Sequence, residues 1–311
     1  CGYGHRECPA LTAVIAEARY PMETRMPQRP AIVLVHGFWG GAAHWGNVIK
    51  ELHKRGYHDL HAVENPLTSL ADDVERTQKM VRQIHGPVLL VGHSYGGAVI
   101  TQAGDLPNVK GLVYVAAFAP DAGESPASIS AANPPEAFPN IAPDSDGYLW
   151  IKQDKFRESF CQDLDEADAL VMAVTQKAPL GSTFGDNITA PAWKVKPSWY
   201  QISTHDRMIN PENQKTMSAR ISAKTVSLAA GHASLPSPPE ELCPGSSIRG
   251  RPFCGRPFFH VRGSSHIFWG RVHLNFFIHD FTAADENLHI NARIMKNSIE
   301  IEKYMTKNRS C

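Results

Sequence analysis

Residues 88–104 limit the possible folds of this chain more than any other segment. An apolar run at 88–91 (VLLV) leads directly into Gly92-His93-Ser94-Tyr95-Gly96, and a helical pattern follows. This order predicts a strand, a sharp turn and a helix, with glycines where larger side chains would collide with neighbouring backbone. The turn places the Ser94 hydroxyl above the sheet edge, beside the positive end of the helix dipole. Ser94 is therefore the candidate nucleophile.

Residues 31–235 alternate short apolar runs with amphipathic stretches. Continuous apolar runs such as 31–35 (AIVLV) are typical of strands buried on both faces. The predicted strands are residues 31–35, 60–63, 88–91, 111–118, 199–203 and 225–228. The predicted helices are residues 42–54, 67–84, 96–103 and 211–221. Strands that alternate with helices predict an α/β fold with a mainly parallel sheet flanked by helices.

The alternation stops between about residues 121 and 196, where two helix-like stretches lie at 147–160 and 165–177. An insertion at one point of a βα series predicts a helical lid over a strand end; a structural excursion away from the site is the alternative. The predicted organisation is an N-terminal extension at 1–30, one domain at 31–242 and an atypical C-terminal extension at 243–311. Disorder is one interpretation of that last segment, which is rich in Gly, Pro and Ser near its start.

The stretch at residues 36–41 (HGFWGG) follows the first predicted strand. A tight turn there would bring a backbone N–H towards Ser94, so Phe38 and Tyr95 are the candidate donors of an oxyanion hole. An ordinary glycine-rich turn is the alternative interpretation. The candidate substrate-binding residues are Trp39, His36, Trp150 and Phe160.

A serine nucleophile needs a base, and the base needs an orienting carboxylate. His232 follows the strand at 225–228, and Asp206 follows the strand at 199–203, in the chain order Ser, acid, His. Both lie at C-terminal strand ends, on the same sheet edge as Ser94. Asp121 is a rival for the acid, whereas His93 and His205 are expected to be structural or pocket-wall groups.

The motifs HGFWGG, GHSYGG, HDRM and GHAS together resemble the lid-bearing α/β-hydrolase superfamily, especially its small bacterial esterase-like members. They also resemble plant methylesterases and hydroxynitrile lyases. The resemblance covers residues from about 30 to 240 and implies the α/β-hydrolase fold. It implies that Ser94, Asp206 and His232 match a catalytic triad, and that Phe38 and Tyr95 match the oxyanion donors. The chain departs from the pattern after residue 242, where Pro, Gly and Ser stop the expected final helix.

The function that this resemblance implies is hydrolysis of carboxylic esters through an acyl-serine intermediate. The expected substrates are esters that have a hydrophobic portion. Two other classes remain open. A hydroxynitrile-lyase-like C–C lyase would use the same triad but needs a pocket lysine, and neither Lys215 nor Lys224 is an obvious candidate. A non-catalytic ligand receptor could be built on the same pocket.

Charge and hydropathy limit the partners that we expect. The chain has 31 Lys and Arg against 31 Asp and Glu, which gives no electrostatic reason to expect nucleic acid or an anionic membrane. The apolar run at 111–120 is shorter than the roughly 20 residues that span a bilayer. No clear secretory signal is seen, so we expect a cytoplasmic monomer or small homo-oligomer that binds a small-molecule ester.

The six cysteines predict neither a disulfide framework nor a metal centre. Five of them lie in the end segments of the chain. The spacing of Cys243, Cys254, His260 and His266 is not a standard zinc pattern. We therefore expect no metal and no cofactor.

Overall fold

A six-stranded, all-parallel sheet forms the centre of the computed structural model, which describes residues 29–233. The strand order is β2-β1-β3-β4-β7-β8. The strands are β1 (Ala31–Val35), β2 (Leu60–Val63), β3 (Val88–His93), β4 (Val109–Val115), β7 (Ser198–Ser203) and β8 (Lys224–Leu228). A separate antiparallel hairpin pairs β5 (Ile141–Pro143) with β6 (Leu149–Ile151). The predicted α/β class with a mainly parallel sheet is confirmed.

Helices cover both faces of this sheet. They are α1 (Gly46–Lys54), α2 (Leu70–Arg82), α3 (Gly96–Ala103), α4 (Pro126–Ala132), α5 (Phe156–Phe160), α6 (Glu166–Val174) and α7 (Pro211–Arg220). Within residues 29–233, every helix is too short or too polar to cross a membrane.

The sheet separates two apolar clusters, which explains why its central strands β1 and β3 begin with continuous apolar runs. Ile32 and Leu34 of β1 pack on one face with Trp45 and Leu52, which lie in and just before α1. Val33 and Val35, with the alternate residues of β3 and β4, pack on the other face against α2 and α3. Because side chains alternate along a strand, each residue of β1 fills one of the two clusters.

The predicted helix at residues 147–160 is wrong over most of its length. Gly147 has φ +84°, and the Asp144 carboxylate accepts the N–H groups of Asp146 and Tyr148, which closes a turn rather than a helix. Strand β6 follows this turn, and only α5 at the end of the segment is α-helical. The segment between β4 and β7 therefore contains a hairpin as well as helices.

The predicted domain boundaries stay predictions. Of the N-terminal extension at 1–30, only residues 29 and 30 are among the described residues. The extension at 243–311 lies outside them completely, as do the cysteines and histidines of the unusual spacing at 243–266.

Candidate active site

Ser94 lies in the turn between β3 and α3, and its backbone has φ +56°. That conformation is costly for a residue with a side chain, so the surroundings must hold it. A Cβ atom at Gly92 would lie 2.5 Å from the Gly96 carbonyl oxygen, and one at Gly96 would lie 2.3 Å from the Val35 carbonyl oxygen. The turn therefore needs glycine on both sides of Ser94, as the motif predicts.

Three predicted residues from distant parts of the chain form one series of hydrogen bonds. The Ser94 Oγ lies 2.9 Å from His232 Nε2, and His232 Nδ1 lies 2.8 Å from Asp206 Oδ2. His232 is fully buried, and Asp206 and Ser94 are nearly so. A carboxylate accepts the Nδ1 proton, which leaves Nε2 free to accept the Ser94 hydroxyl proton.

Asp206 is held by four donors. Its Oδ1 accepts the backbone N–H groups of Met208 and Ile209 at 2.8 and 2.9 Å. Its Oδ2 accepts Gln214 Nε2 at 2.8 Å in addition to the His232 ring. Gln214, which was not predicted as a site residue, is fully buried on α7 and also accepts the Ser203 N–H. The sequence feature that could have indicated this residue is its position, about one turn into the helix that begins after Asp206.

The rival acid, Asp121, lies elsewhere. Its carboxylate pairs with Lys194 Nζ at 2.6 Å in a partly exposed position, and this ion pair lowers the pKa of Asp121. The carboxylate that reaches His232 is that of Asp206.

The loop after β1 approaches the Ser94 turn closely. A Cβ atom at Gly37 would lie 2.6 Å from Ser94 Cβ and 3.0 Å from its Oγ, so only glycine fits there. The N–H groups of Phe38 and Tyr95 donate to no other group among the described residues, whereas the Trp39 N–H donates to the Lys177 carbonyl at 3.0 Å. Two uncommitted N–H groups beside a serine hydroxyl are suited to a developing oxyanion.

The side chains of Phe38 and Tyr95 stack, with ring centroids 4.0 Å apart. The Tyr95 hydroxyl donates to Asp73 Oδ2 at 2.8 Å, and Asp73 Oδ1 accepts the Leu67 N–H at 2.8 Å. Asp73 lies on α2 with no exposed surface, and burial raises its pKa to about 6 although both hydrogen bonds favour its ionised form. This carboxylate was not predicted as part of the site, because in the sequence pattern of α2 it resembles the exposed acidic residues beside it.

Both ring nitrogens of His36 bond to backbone. Nδ1 donates to the Gly37 carbonyl at 2.8 Å, and Nε2 accepts the Asn65 N–H at 2.9 Å. Burial lowers the pKa of His36, which agrees with a neutral ring that joins the loop after β1 to the loop after β2. The predicted contact of His36 with substrate stays a prediction.

His93 and His205 lie beside the site without entering the hydrogen-bonded series. His93 Nε2 donates to the His232 carbonyl at 2.9 Å, so it supports the backbone of the candidate base. Burial lowers the pKa of His93 well below its usual value. His205 is exposed, and its N–H donates to the Ala230 carbonyl.

Aromatic rings lie against His232 on the side of the segment between β4 and β7. Phe160 contacts the His232 ring edge-on at 5.2 Å, and Trp39 lies 6.3 Å from Phe160. Trp150 takes no part in the ring contacts found among the described residues. It is 41% exposed and donates its Nε1–H to Asp144. The substrate-binding roles of Trp39, Phe160 and Trp150 stay predictions.

Within residues 29–233, no group of three or more His, Cys, Asp or Glu side chains is arranged to hold a metal ion. The single cysteine there, Cys161, is free and buried, and burial raises the pKa of its thiol to about 12.

Comparison with known proteins identifies the family of the chain. A sequence model described as "Alpha/beta hydrolase family" matches residues 32–244, well over half of the chain. A carbendazim hydrolyzing esterase from Nocardioides sp. (strain SG-4G) is 36% identical over 118 residues, which are 33% of this chain and 49% of that enzyme. A probable hydrolase, R7, from Phoma sp. (strain ATCC 20986 / MF5453) is 26% identical over 236 residues, which are 69% of this chain and 95% of R7.

Solved structures show the same fold. A pyrethroid hydrolase from Sphingobium faniae JZ-2 has a TM-score of 0.58 at 24% identity, over 68% of this chain and 94% of that chain. Polyneuridine aldehyde esterase has a TM-score of 0.59 at 18% identity, over 70% and 97% of the two chains. The predicted α/β-hydrolase fold is confirmed, and the names of the sequence relatives support a hydrolase. With the match over residues 32–244, these findings show that the chain belongs to the alpha/beta hydrolase family.

Proposed function

We propose that this chain hydrolyses carboxylic esters through an acyl-serine intermediate on Ser94. The observation that carries the proposal is the buried series from Asp206 through His232 to Ser94, with bonds of 2.8 and 2.9 Å. A serine hydroxyl is a weak nucleophile unless a base accepts its proton during attack. In this series the base is in place, and a carboxylate sets its tautomer and orientation.

The reaction has two halves. Ser94 Oγ attacks the ester carbonyl while His232 Nε2 takes the hydroxyl proton, and the same nitrogen then gives that proton to the departing alcohol oxygen. In the second half, His232 takes a proton from water as the water attacks the acyl carbonyl. The bond to Ser94 Oγ breaks, and His232 returns the proton to Ser94. Asp206 stays ionised throughout and stabilises the imidazolium.

The N–H groups of Phe38 and Tyr95 are the donors for the oxyanion in both halves. Their lack of other acceptors among residues 29–233 supports this role. The loss of one such donor costs about 3–4 kcal/mol of transition-state stabilisation in enzymes where it has been measured.

The proposed substrate is an ester with a hydrophobic, preferably aromatic, portion. Trp39 and Phe160 form a ring cluster beside His232, and apolar walls favour apolar substrate groups. Trp39, His36, Trp150 and Phe160 are the proposed contact residues. The names of two similar proteins, a carbendazim hydrolyzing esterase and a pyrethroid hydrolase, agree with hydrolase chemistry at this site.

The test is turnover of p-nitrophenyl esters that vary in acyl length, together with aryl and alkyl esters that vary in alcohol bulk. Ser94→Ala should lower kcat by about 10⁴–10⁶ and leave folding unchanged, because the hydroxyl itself forms the acyl bond. It should also abolish labelling by a fluorophosphonate. A variant that keeps more than about a tenth of the wild-type rate would contradict the role of Ser94, given that scale.

The same measurements address the other two function classes. A wild-type chain that is labelled but shows no turnover of any ester would indicate a ligand receptor. A lyase would instead cleave a cyanohydrin without consuming water. Lys215, one of the two lysines considered for lyase chemistry, is bonded to Glu212 at 2.7 Å on the exposed side of α7, which does not favour that reaction.

A further inference from the structure

Residues 160–163, which begin at the last residue of α5 and belong to the lid insertion, lie against the two loops that carry Asp206 and His232. We call this segment the clamp. Its Phe160 carbonyl accepts the Ala233 N–H at 3.1 Å, and its Gln162 Nε2 donates to the His205 carbonyl at 2.7 Å. The Asp163 carboxylate accepts the Gly231 N–H.

These bonds are placed around the reacting groups in a specific way. Gly231 and Ala233 directly precede and follow His232, so the backbone N–H groups on both sides of the base are bonded to the clamp. His205 directly precedes Asp206, so the third bond holds the acid loop. The consecutive residues Gln162 and Asp163 therefore bond to the loop of Asp206 and to the loop of His232, respectively.

The side chains of the clamp fit the same arrangement. The Phe160 ring lies edge-on to the His232 ring at 5.2 Å, which limits rotation of the imidazole. A Cβ atom at Gly231 would lie 2.7 Å from the Gln162 side chain, so the His232 loop and the clamp are in direct contact. On its other side, the His232 loop is held by the sheet domain through His93 Nε2.

We infer that the clamp positions His232. A competent triad therefore depends on the contacts between this part of the lid and the loops that carry Asp206 and His232. Asp163 and Gln162 are positioning residues, because they act on the reaction only through the backbone beside His232 and Asp206. The inference rests on the proposed ester hydrolysis for its kinetic consequence. Proton transfer between Ser94 Oγ and His232 Nε2 requires the two atoms to stay at hydrogen-bond distance, and a misplacement of about 1 Å can cost about 100-fold in rate.

The test compares Asp163→Ala with Asp165→Ala. Asp165 is a matched control, since its carboxylate also accepts backbone N–H groups, those of Ala167 and Asp168, but at the start of α6. Asp163→Ala should lower kcat by about ten- to 100-fold with a smaller change in KM, because the imidazole is misplaced while the pocket remains. Asp165→Ala should lower the thermal midpoint and leave kcat nearly unchanged.

Asp163→Asn should restore most of kcat, because its side-chain oxygen can still accept the Gly231 N–H. Equal losses of kcat in Asp163→Ala and Asp165→Ala would overturn the inference, since the effect would then be general to the lid. If Asp163→Ala does not fold, Gln162→Leu removes the bond to the acid loop and should also lower kcat more than KM changes.

Hydrogen exchange tests the clamp without any turnover. The Gly231 amide should exchange faster in Asp163→Ala than in the wild type, and at the wild-type rate in Asp165→Ala. Unchanged exchange at Gly231 would overturn the inference even if ester hydrolysis is established. Faster exchange in a protein that hydrolyses no ester would instead leave the clamp standing and contradict the proposed function.

Discussion

Ser94 and His232 bond to each other, yet different kinds of contact hold them. Around Ser94, the glycine backbone packs directly on its neighbours: a Cβ atom at Gly92 or Gly96 would come within 2.3–2.5 Å of a backbone oxygen, and one at Gly37 within 2.6 Å of Ser94 Cβ. Around His232, side-chain and backbone hydrogen bonds join segments 43 and 68 residues apart in sequence, through Gln162 and Asp163. The nucleophile side depends on the absence of side chains, whereas the base side depends on particular polar ones.

This difference has consequences for how each side tolerates change. A Cβ atom added on the nucleophile side must push rigid backbone, because interiors are close-packed and deform little. On the base side, a substitution removes one hydrogen bond of several, and the loop keeps its other anchors. We therefore expect abrupt losses of activity on the nucleophile side and graded losses on the base side, except at the groups that react directly.

After the loss expected for Ser94→Ala, the largest effect distinguishes the two candidate acids. Asp206→Asn should lower kcat by about 10⁴, because an amide in place of the carboxylate presents the wrong imidazole tautomer. Asp121→Asn, which removes only the ion pair with Lys194, should leave kcat nearly unchanged. Steady-state kinetics on one activated ester measures both, and the reverse ranking would assign the acid to Asp121.

The next effect tests the steric character of the nucleophile side. Gly37→Ala should lower kcat by about 10²–10³, the scale of one lost oxyanion donor, because its Cβ would displace Ser94 or the Phe38 N–H. Gly46→Ala is the control, since a Cβ there meets nothing within 4 Å. Wild-type kcat in Gly37→Ala would show that this loop adjusts, and would remove the contrast between the two sides.

A third effect concerns the pH dependence of stability, and arises from the Asp73 carboxylate that accepts a hydrogen bond from the Tyr95 hydroxyl. Burial raises the pKa of Asp73 to about 6 from a model-compound value of 3.8. Between these values the folded chain binds more protons than the unfolded one, so this group stabilises the fold at low pH. The contribution is lost as pH rises through about 6. The shift corresponds to a change of about 3 kcal/mol in the free energy of unfolding across this pH range. Asp73→Asn should remove this pH dependence.

Urea unfolding at several pH values between about 4 and 7 measures this contribution. The neighbouring Asp72 is a control of opposite sign, because hydrogen bonds from Thr68 and Ser69 lower its pKa. Its stabilising contribution is present at higher pH and lost as pH falls. If the free energy of unfolding has the same pH dependence in the wild type and in Asp73→Asn, the pKa of Asp73 is not raised in the folded chain.

The smallest expected effect separates two aromatic residues of the lid. Trp150 is 41% exposed and bonded to Asp144, so Trp150→Ala should raise KM by less than about fivefold, or about 1 kcal/mol. Phe160→Leu keeps an apolar side chain but loses the ring contact with His232, so it should raise KM more than Trp150→Ala does and should also lower kcat. A larger effect at Trp150 would place the substrate against the hairpin rather than the ring cluster.

Local sequence patterns predicted most of the fold. The bounds of α3 at Gly96–Ala103 agree with the prediction, and β1, β2 and β7 agree to within one residue, because apolar runs and glycine turns act over a few neighbours. The hairpin at residues 141–151 was missed because its turn depends on Asp144, whose side-chain bonds compete with helix formation. Apolar residues in that stretch are compatible with either structure.

The sequence by itself determined the parallel sheet and the strained turn at Ser94, because both follow from side-chain period and from glycine sterics along a continuous segment. Only the tertiary structure decided that Asp206 rather than Asp121 reaches His232, that Gln214 and Asp73 are buried beside the site, and that the clamp contacts both loops. These pairings join residues far apart in the chain, and a hydrogen bond of 2.8 Å depends on how whole segments dock.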